Sequence, residues 1–154
     1  MSIFTRRFAI TVCAVAVLIG ATATSGCTFE MAPINNVRAN APAARPLSGE
    51  EVRTGIYRAL TAKSWVVTAE EPWNITAMVT AGGHSAVVAI AYNTEAYTIT
   101  RLDSSAGLKY DPSHPRHGEI IHRRYNHWIN LLNQQIQREI SALIQPAAPP
   151  PPVS

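Results

Sequence analysis

Cysteine is scarce in this sequence of 154 residues, which contains only Cys13 and Cys27. Cys13 lies in an apolar segment near the N-terminus that we expect to be removed as part of a signal peptide. Cys27 then has no partner within the mature chain, so a fold held together by disulfides is excluded. Attachment of a lipid explains an unpaired cysteine in an exported protein. The alternative is a soluble secreted protein with a free thiol at Cys27.

Charged residues are also few, at 15% of the sequence, and the net charge of +3 is unevenly distributed. Arg6 and Arg7 belong to the segment that we expect to be removed. Without them the chain has 11 basic and 10 acidic side chains. No basic stripe remains to follow a phosphate backbone, so we expect no nucleic-acid partner.

The sequence lacks an apolar run long enough to span a bilayer comfortably. The run from Phe8 to Gly20 covers 13 residues, whereas a membrane helix needs roughly 20. A short apolar run behind Arg6 and Arg7, followed by small residues, is typical of a secretory signal peptide. We therefore predict a signal peptide over residues 1–26, with an uncleaved anchor helix as an alternative.

The four residues Thr24-Ser25-Gly26-Cys27 end this segment. They resemble the lipobox of bacterial lipoproteins, although Thr24 stands where an aliphatic residue is usual. The resemblance implies cleavage before Cys27 and acylation of its sulfur, so the expected partner is a lipid membrane. Each buried CH₂ contributes about 0.8 kcal/mol to membrane binding, and a diacyl group therefore holds firmly. In such lipoproteins an aspartate directly after the cysteine favours retention in the inner membrane. Because Thr28 occupies this position instead, we expect the protein at the periplasmic face of the outer membrane.

Composition divides the remainder of the chain into a tether, one domain and a tail. Residues 27–47 are polar and rich in alanine, with scattered prolines and no sustained period, and predict a flexible tether with a root-mean-square span of about 25 Å. Residues 48–145 predict one globular domain. Residues 146–154 predict a disordered proline-rich tail.

The pattern within the domain predicts an α+β fold. Ser48-Gly49-Glu50-Glu51 has the spacing of a capping box and predicts a helix to about Lys63. A long helix is predicted from about Glu119 to Ile144, after a loop over residues 104–118. Between the helices, β-branched and aromatic residues predict three antiparallel strands and a fourth at the edge, at 65–70, 75–81, 86–92 and 97–102. Both helices are expected on one face of this sheet.

No arrangement of residues predicts catalysis, a metal or a cofactor. Four histidines lie between residues 114 and 127, but His122 and His127 point about 140° apart on a helix and do not converge as metal ligands do. Ser104 and Ser105 lack the glycine pattern of a nucleophile elbow. We also find no pair of carboxylates placed for glycoside hydrolysis.

The segment from His122 to Trp128 is the densest in polar and aromatic side chains. On the predicted helix, His122 and Asn126 share one flank, and Asn126 is placed to bond the loop that holds Tyr110. We expect these three residues either to support the structure or to contact a ligand or partner. We favour a non-enzymatic binding or assembly accessory module of the cell envelope, with an envelope protein as partner. A cell-wall hydrolase that uses the group of three residues is the alternative.

Several motifs in the domain recur together in one kind of protein. They include an Ile75-x-Ala77 strand, the alternating run from His84 to Tyr92, and Tyr125-Asn126-x-Trp128. From about Val52 to Ile140 the chain resembles a family of small, functionally uncharacterised lipoproteins of Gram-negative bacteria. The resemblance implies an envelope location and a compact α+β domain. It implies no reaction, cofactor or partner.

Overall fold

The computed structural model describes residues 30–42 and 45–144. The predicted signal peptide, Cys27 and the whole of the predicted tail lie outside the described residues. The elements in chain order are β1 (Met31–Pro33), β2 (Val37–Asn40), α1 (Gly49–Ala62), β3 (Val66–Glu71), β4 (Asn74–Ala81), β5 (His84–Tyr92), β6 (Ala96–Ser104), a 3₁₀ turn (Ala106–Leu108), β7 (Asp111–His114), β8 (Gly118–His122) and α2 (Arg123–Ile144). None of the described helices is long and apolar enough to cross a membrane.

The strands form two antiparallel sheets. The main sheet has five strands in the order β2-β6-β5-β4-β3, and the small sheet has three in the order β1-β8-β7. The predicted α+β class is confirmed, and the four strands expected from the sequence correspond to β3, β4, β5 and β6. The predicted number of strands is too low, because the sequence pattern missed β1, β2, β7 and β8.

Two of the missed strands lie in the segment that the sequence predicted to be a flexible tether. Met31 pairs with His122 in β8, and Val37 pairs with Ile99 in β6. The prediction of a flexible spacer is therefore wrong for β1 and β2. Strands of three and four residues are too short to show a hydrophobic period, and they are stabilised by partners distant in the sequence.

The long C-terminal helix begins later than predicted. Residues 119–122, assigned to the helix from the sequence, belong to strand β8, and the predicted loop holds the 3₁₀ turn and β7. Ile121 is fully buried in β8 rather than on the helix. Its spacing of four from Tyr125 fits a helical stripe, but pairing with β1 and β7 fixes it in a strand.

Both helices pack on one face of the main sheet, as predicted. One core joins α1 and α2 to the inward residues of β4, β5 and β6. The buried residues of α2 are Tyr125, Ile129, Leu132, Ile136 and Ile140. Trp128 and Leu143, whose spacing along the helix also fits an apolar stripe, are half-buried. They lie at its edges, because Ile129 and Ile140 take the central positions.

The two ends of the main sheet are formed by different turns and different helix starts. Asn74 pairs with Ala91 at one end, and Ala81 pairs with His84 at the other. These ends are about 24 Å apart at 3.4 Å per residue. The β3–β4 turn and the start of α1 define the Trp73 end. The β4–β5 turn and the start of α2 define the Gly82 end, where the Arg124 guanidinium donates to the Gly82 carbonyl at 3.4 Å.

Candidate functional site

A cleft of about 680 Å³ lies at the Trp73 end of the main sheet. It is bounded by the first turns of α1, the β3–β4 turn and the last residue of β5. The residues that line it are Gly49, Glu50, Arg53, Glu70, Glu71, Pro72, Trp73 and Tyr92. We call it the Trp73 cleft.

Trp73 is held in an exposed position by its turn and by two neighbours. Pro72 and Trp73 form the two-residue turn between β3 and β4, and Trp73 has a φ of +65°. Its carbonyl accepts from the Tyr92 N–H at 2.9 Å. The Tyr92 ring lies 5.6 Å away at 55°, and the edge of the indole contacts the backbone of Gly49. The indole is nevertheless 52% exposed.

A strained conformation at an exposed tryptophan needs an explanation. Positive φ is uncommon for bulky residues, and such conformations cluster at binding and active sites. Trp73 therefore marks the cleft as the candidate site.

An ion-pair network forms the floor of the cleft. Arg53 donates to Glu70 from Nε at 2.6 Å and from Nη2 at 3.2 Å, and the Tyr57 hydroxyl donates to the same carboxylate at 2.5 Å. The Arg53 guanidinium, followed by the Tyr57 hydroxyl, lowers the pKa of Glu70. The hydrogen bond to Glu70, together with burial, raises the pKa of Tyr57. Glu70 is therefore ionised at neutral pH and neutralises Arg53.

Two further carboxylates at the cleft face solvent. The Glu50 side chain is 71% exposed and pairs with Arg53 at 3.2 Å. Glu71 is exposed, and its carboxylate has no hydrogen-bond or ion-pair partner among the described residues. Three carboxylates against one guanidinium give the cleft a net negative charge. An exposed aromatic face beside the unpaired carboxylate of Glu71 is suited to a cation, which gains both cation–π and charge attraction.

The three candidate contact residues expected from the sequence do not share a set of partners. Tyr110 lies under the Arg101 guanidinium, 3.4 Å from the ring centre. His122 accepts the Arg124 N–H at 3.0 Å through Nδ1.

Asn126 contacts a different turn from the one predicted. Its Oδ1 accepts the Asn35 N–H at 2.9 Å, and its Nδ2 donates to the Pro33 carbonyl at 2.8 Å. The predicted link between Asn126 and the loop of Tyr110 is thus replaced by a link to the β1–β2 turn. This arrangement supports a structural role for Asn126.

Four of the five histidines stack in two pairs. His114 and His117 lie with ring centres 5.2 Å apart, and His84 and His122 with ring centres 6.4 Å apart. Within residues 30–42 and 45–144, no three histidine, cysteine, aspartate or glutamate side chains group as metal ligands would.

One local signal indicates the Trp73 cleft, although the hydrophobic periodicity does not reveal it. Pro72 favours a turn, and a tryptophan directly after it lies outside the alternating pattern that buries strand residues. Comparison with known proteins adds no ligand: no protein-family model matches the chain, and no curated protein matches it significantly.

Proposed function

We propose that this protein is a lipid-anchored lipoprotein of the bacterial cell envelope whose domain is a non-enzymatic binding module. The lipobox-like residues that end in Cys27 support the anchor. The observation that carries the binding role is the exposed, strained Trp73 beside the unpaired carboxylate of Glu71. The proposed ligand is a lysine- or arginine-bearing segment of an envelope protein.

Charge decides between cationic and anionic ligands. An anion would meet the carboxylates of Glu50, Glu70 and Glu71, and the Arg53 guanidinium is already held by two of them. A cation instead replaces water at Glu71 and places its charge over the indole. Tryptophan is the aromatic residue with the strongest attraction for cations, at about 0.5–2 kcal/mol.

Binding of a cationic peptide at the cleft is tested by mixing a fluorescent hexalysine peptide with the mature protein in non-ionic detergent. Trp73→Ala should weaken binding about tenfold, which corresponds to about 1.4 kcal/mol of lost cation–π and apolar contact. Glu71→Gln should weaken it about threefold, because a partly screened charge pair is worth under 1 kcal/mol. Fluorescence anisotropy measures both dissociation constants.

Leu102→Ala is the matched control, because Leu102 is also 52% exposed but lies outside the cleft lining. It should bind hexalysine as the wild type does. Equal affinities of Trp73→Ala and Leu102→Ala, or equally tight binding of a hexaglutamate peptide, would contradict the proposed ligand class.

The partner is tested by crosslinking in intact cells. A photoreactive amino acid at position 73 should give a recurrent protein adduct, and the same group at position 102 should not. Adducts with lipid alone, or the same products from both positions, would contradict a protein partner at the cleft.

The anchor is tested separately by mass spectrometry of the mature N-terminus. We expect an acylated Cys27 as the first residue, and Cys27→Ser should remain unprocessed. A free thiol at Cys27, or a retained Met1, would contradict the lipid anchor without bearing on the Trp73 cleft.

A further inference from the structure

The chain enters the domain at the Gly82 end. The Glu30 carbonyl accepts the Arg123 N–H at 2.7 Å, and the Glu30 carboxylate lies 3.2 Å from the Lys109 ammonium. His122 Nε2 lies 3.9 Å from the same carboxylate. Position 30 is thus fixed at this end of the main sheet by both its backbone and its side chain.

Covalent geometry limits the distance from this point to Cys27. Three peptide units join Cys27 to Glu30 and span at most about 11 Å when fully extended. This limit is well below the 25 Å expected for a tether over residues 27–47, because β1 and β2 belong to the domain. An acyl chain on Cys27 therefore brings the Gly82 end to the lipid headgroups.

The exposed surface at the Gly82 end carries more cations than anions. Lys109, Arg123 and Arg124 are exposed there, against the carboxylates of Glu30 and Asp103. His84 and His122 stack within the same surface, with ring centres 6.4 Å apart. Anionic headgroups attract basic side chains that lie within a Debye length of the bilayer.

The Trp73 end has the opposite balance of charge. The basic side chains at this end are Arg38, Arg45 and Arg53. They are outnumbered by the acidic side chains, which are Glu50, Glu51, Glu70, Glu71 and Glu95. An anionic bilayer repels this end and attracts the other. The distribution of charge and the position of the anchor therefore favour the same orientation.

We propose that the Gly82 end is a membrane-contacting surface that binds anionic lipid headgroups through Lys109 and Arg124 and directs the Trp73 cleft away from the bilayer. This inference rests on the proposed acylation of Cys27. The Gly82 end then contacts the membrane in addition to the acyl chain. The Trp73 cleft lies on the side of the domain that faces away from the bilayer and toward protein partners.

The orientation is tested on the acylated protein in vesicles that carry a quencher on the lipid headgroup. Cys27 is blocked by its lipid and Cys13 is removed with the signal peptide, so one introduced cysteine is the sole free thiol. Ala106→Cys places a fluorophore next to Lys109, and Thr94→Cys places it in the β5–β6 turn at the Trp73 end. In phosphatidylglycerol-containing vesicles we expect about threefold stronger quenching at position 106 than at position 94.

Charge reversal separates headgroup binding from mere proximity to the anchor. Lys109→Glu with Arg124→Glu should lower quenching at position 106 to the level seen in phosphatidylcholine vesicles. Arg38→Glu with Arg138→Glu makes the same change in charge away from the Gly82 end and should leave the quenching unchanged. A far-UV circular dichroism spectrum like that of the wild type shows that each variant is folded.

The outcomes distinguish this inference from the proposed function. Mass spectrometry of the same sample comes first, and an unmodified Cys27 overturns both the anchor and the orientation. An acylated protein with equal quenching at positions 94 and 106, or with no effect of Lys109→Glu and Arg124→Glu, overturns the orientation alone.

Discussion

Glu51 shows how a local sequence signal and a tertiary contact act on one side chain. Glu51 accepts the Ser48 N–H at 2.8 Å, and Ser48 Oγ accepts the Glu51 N–H at 3.2 Å, which confirms the predicted capping box. The Arg45 guanidinium adds a bidentate ion pair that the spacing did not predict. Hydrogen bonds from Arg45 and then Ser48 lower the pKa of Glu51 to about 2.

Glu51→Gln should therefore destabilise the domain at neutral pH. The pKa of Glu51 is lower in the folded state than its ordinary value of 4.5, so the stabilisation is complete above about pH 4.5 and is lost as the pH falls toward 2. Urea unfolding across this range should show the two proteins converging at low pH. A difference that persists at pH 2 would contradict the role of the carboxylate charge.

Tyr97 and Tyr125 are both buried but differ in their hydrogen bonds. The Tyr97 hydroxyl donates to Asn133 at 2.6 Å and accepts from Gln137 at 2.7 Å, linking β6 to α2. The Tyr125 hydroxyl is buried and has no hydrogen-bond partner among the described residues. Burial raises the pKa of Tyr97 to about 12 and raises that of Tyr125 as well.

Tyr97→Phe should lower the free energy of unfolding by about 1–3 kcal/mol, because it leaves Asn133 Oδ1 without its donor and removes one of the two acceptors of Gln137 Nε2, which keeps the Asn40 carbonyl. Tyr125→Phe is the matched control and should leave stability unchanged or raise it slightly, since it removes an unpaired hydroxyl. Chemical denaturation measures the free energy of unfolding of both variants. Equal losses in the two variants would show that the hydrogen bonds of Tyr97 contribute nothing.

The raised pKa of Tyr97 also predicts alkaline behaviour. The folded state holds this proton up to about pH 12, while the unfolded chain releases it near pH 10. Stability from Tyr97 is therefore present below pH 10 and falls between pH 10 and 12. Tyr97→Phe should show a smaller fall across this window than the wild type does.

At the scale of elements, the contact between the two helices depends on one glycine. Gly55 is buried in α1 and faces Ile140 of α2. A Cβ at Gly55 would lie 2.6 Å from Ile140 Cγ1 and 3.3 Å from its backbone nitrogen. The absence of a side chain at this position sets how closely α1 and α2 approach.

Gly55→Ala should therefore destabilise the domain by about 1–2 kcal/mol, because the overpacking exceeds the helix propensity that alanine adds. Thr54→Ala, one residue earlier on the same helix, should change stability little. Combining Gly55→Ala with Ile140→Ala should cost less than the sum of the single changes, because the second removes the colliding atom. Additive losses by urea unfolding would contradict a direct contact.

At the scale of the whole molecule, two surfaces are separated by the length of the main sheet. The Trp73 cleft lies at one end, and the chain enters beside Lys109 and Arg124 at the other. The 24 Å between them follows from the length of β4 and β5. This distance leaves room for the proposed partner at the cleft and the proposed membrane contact at the Gly82 end to be bound at the same time.

The two surfaces should act independently. Lys109→Glu with Arg124→Glu should change the dissociation constant for hexalysine by less than about twofold at physiological salt, where the Debye length is about 8 Å. Trp73→Ala should in turn leave headgroup quenching at position 106 unchanged. A larger effect in either direction, measured by anisotropy or quenching, would show that the two ends are coupled.

The sequence predicted those parts of the fold that depend on neighbours along the chain. The capping box at Ser48 and the alternation of Ile75, Ala77 and Val79 are local patterns, and the corresponding elements form where expected. The candidate site was less predictable. Asn126 was placed correctly on α2, but its partners Pro33 and Asn35 lie more than 90 positions away, and a helical flank does not specify them.

The sequence alone determined the α+β class, the apolar faces of both helices and the net charge, because these follow from composition and from periods of 2 and 3.6 residues. Only the tertiary structure decided that β1 and β2 belong to the domain, since strands this short form by pairing with β8 and β6. It also decided that Trp73 is exposed over Gly49 and that Glu30 lies beside Lys109. Contacts between distant residues depend on how the elements pack, and no local pattern encodes them.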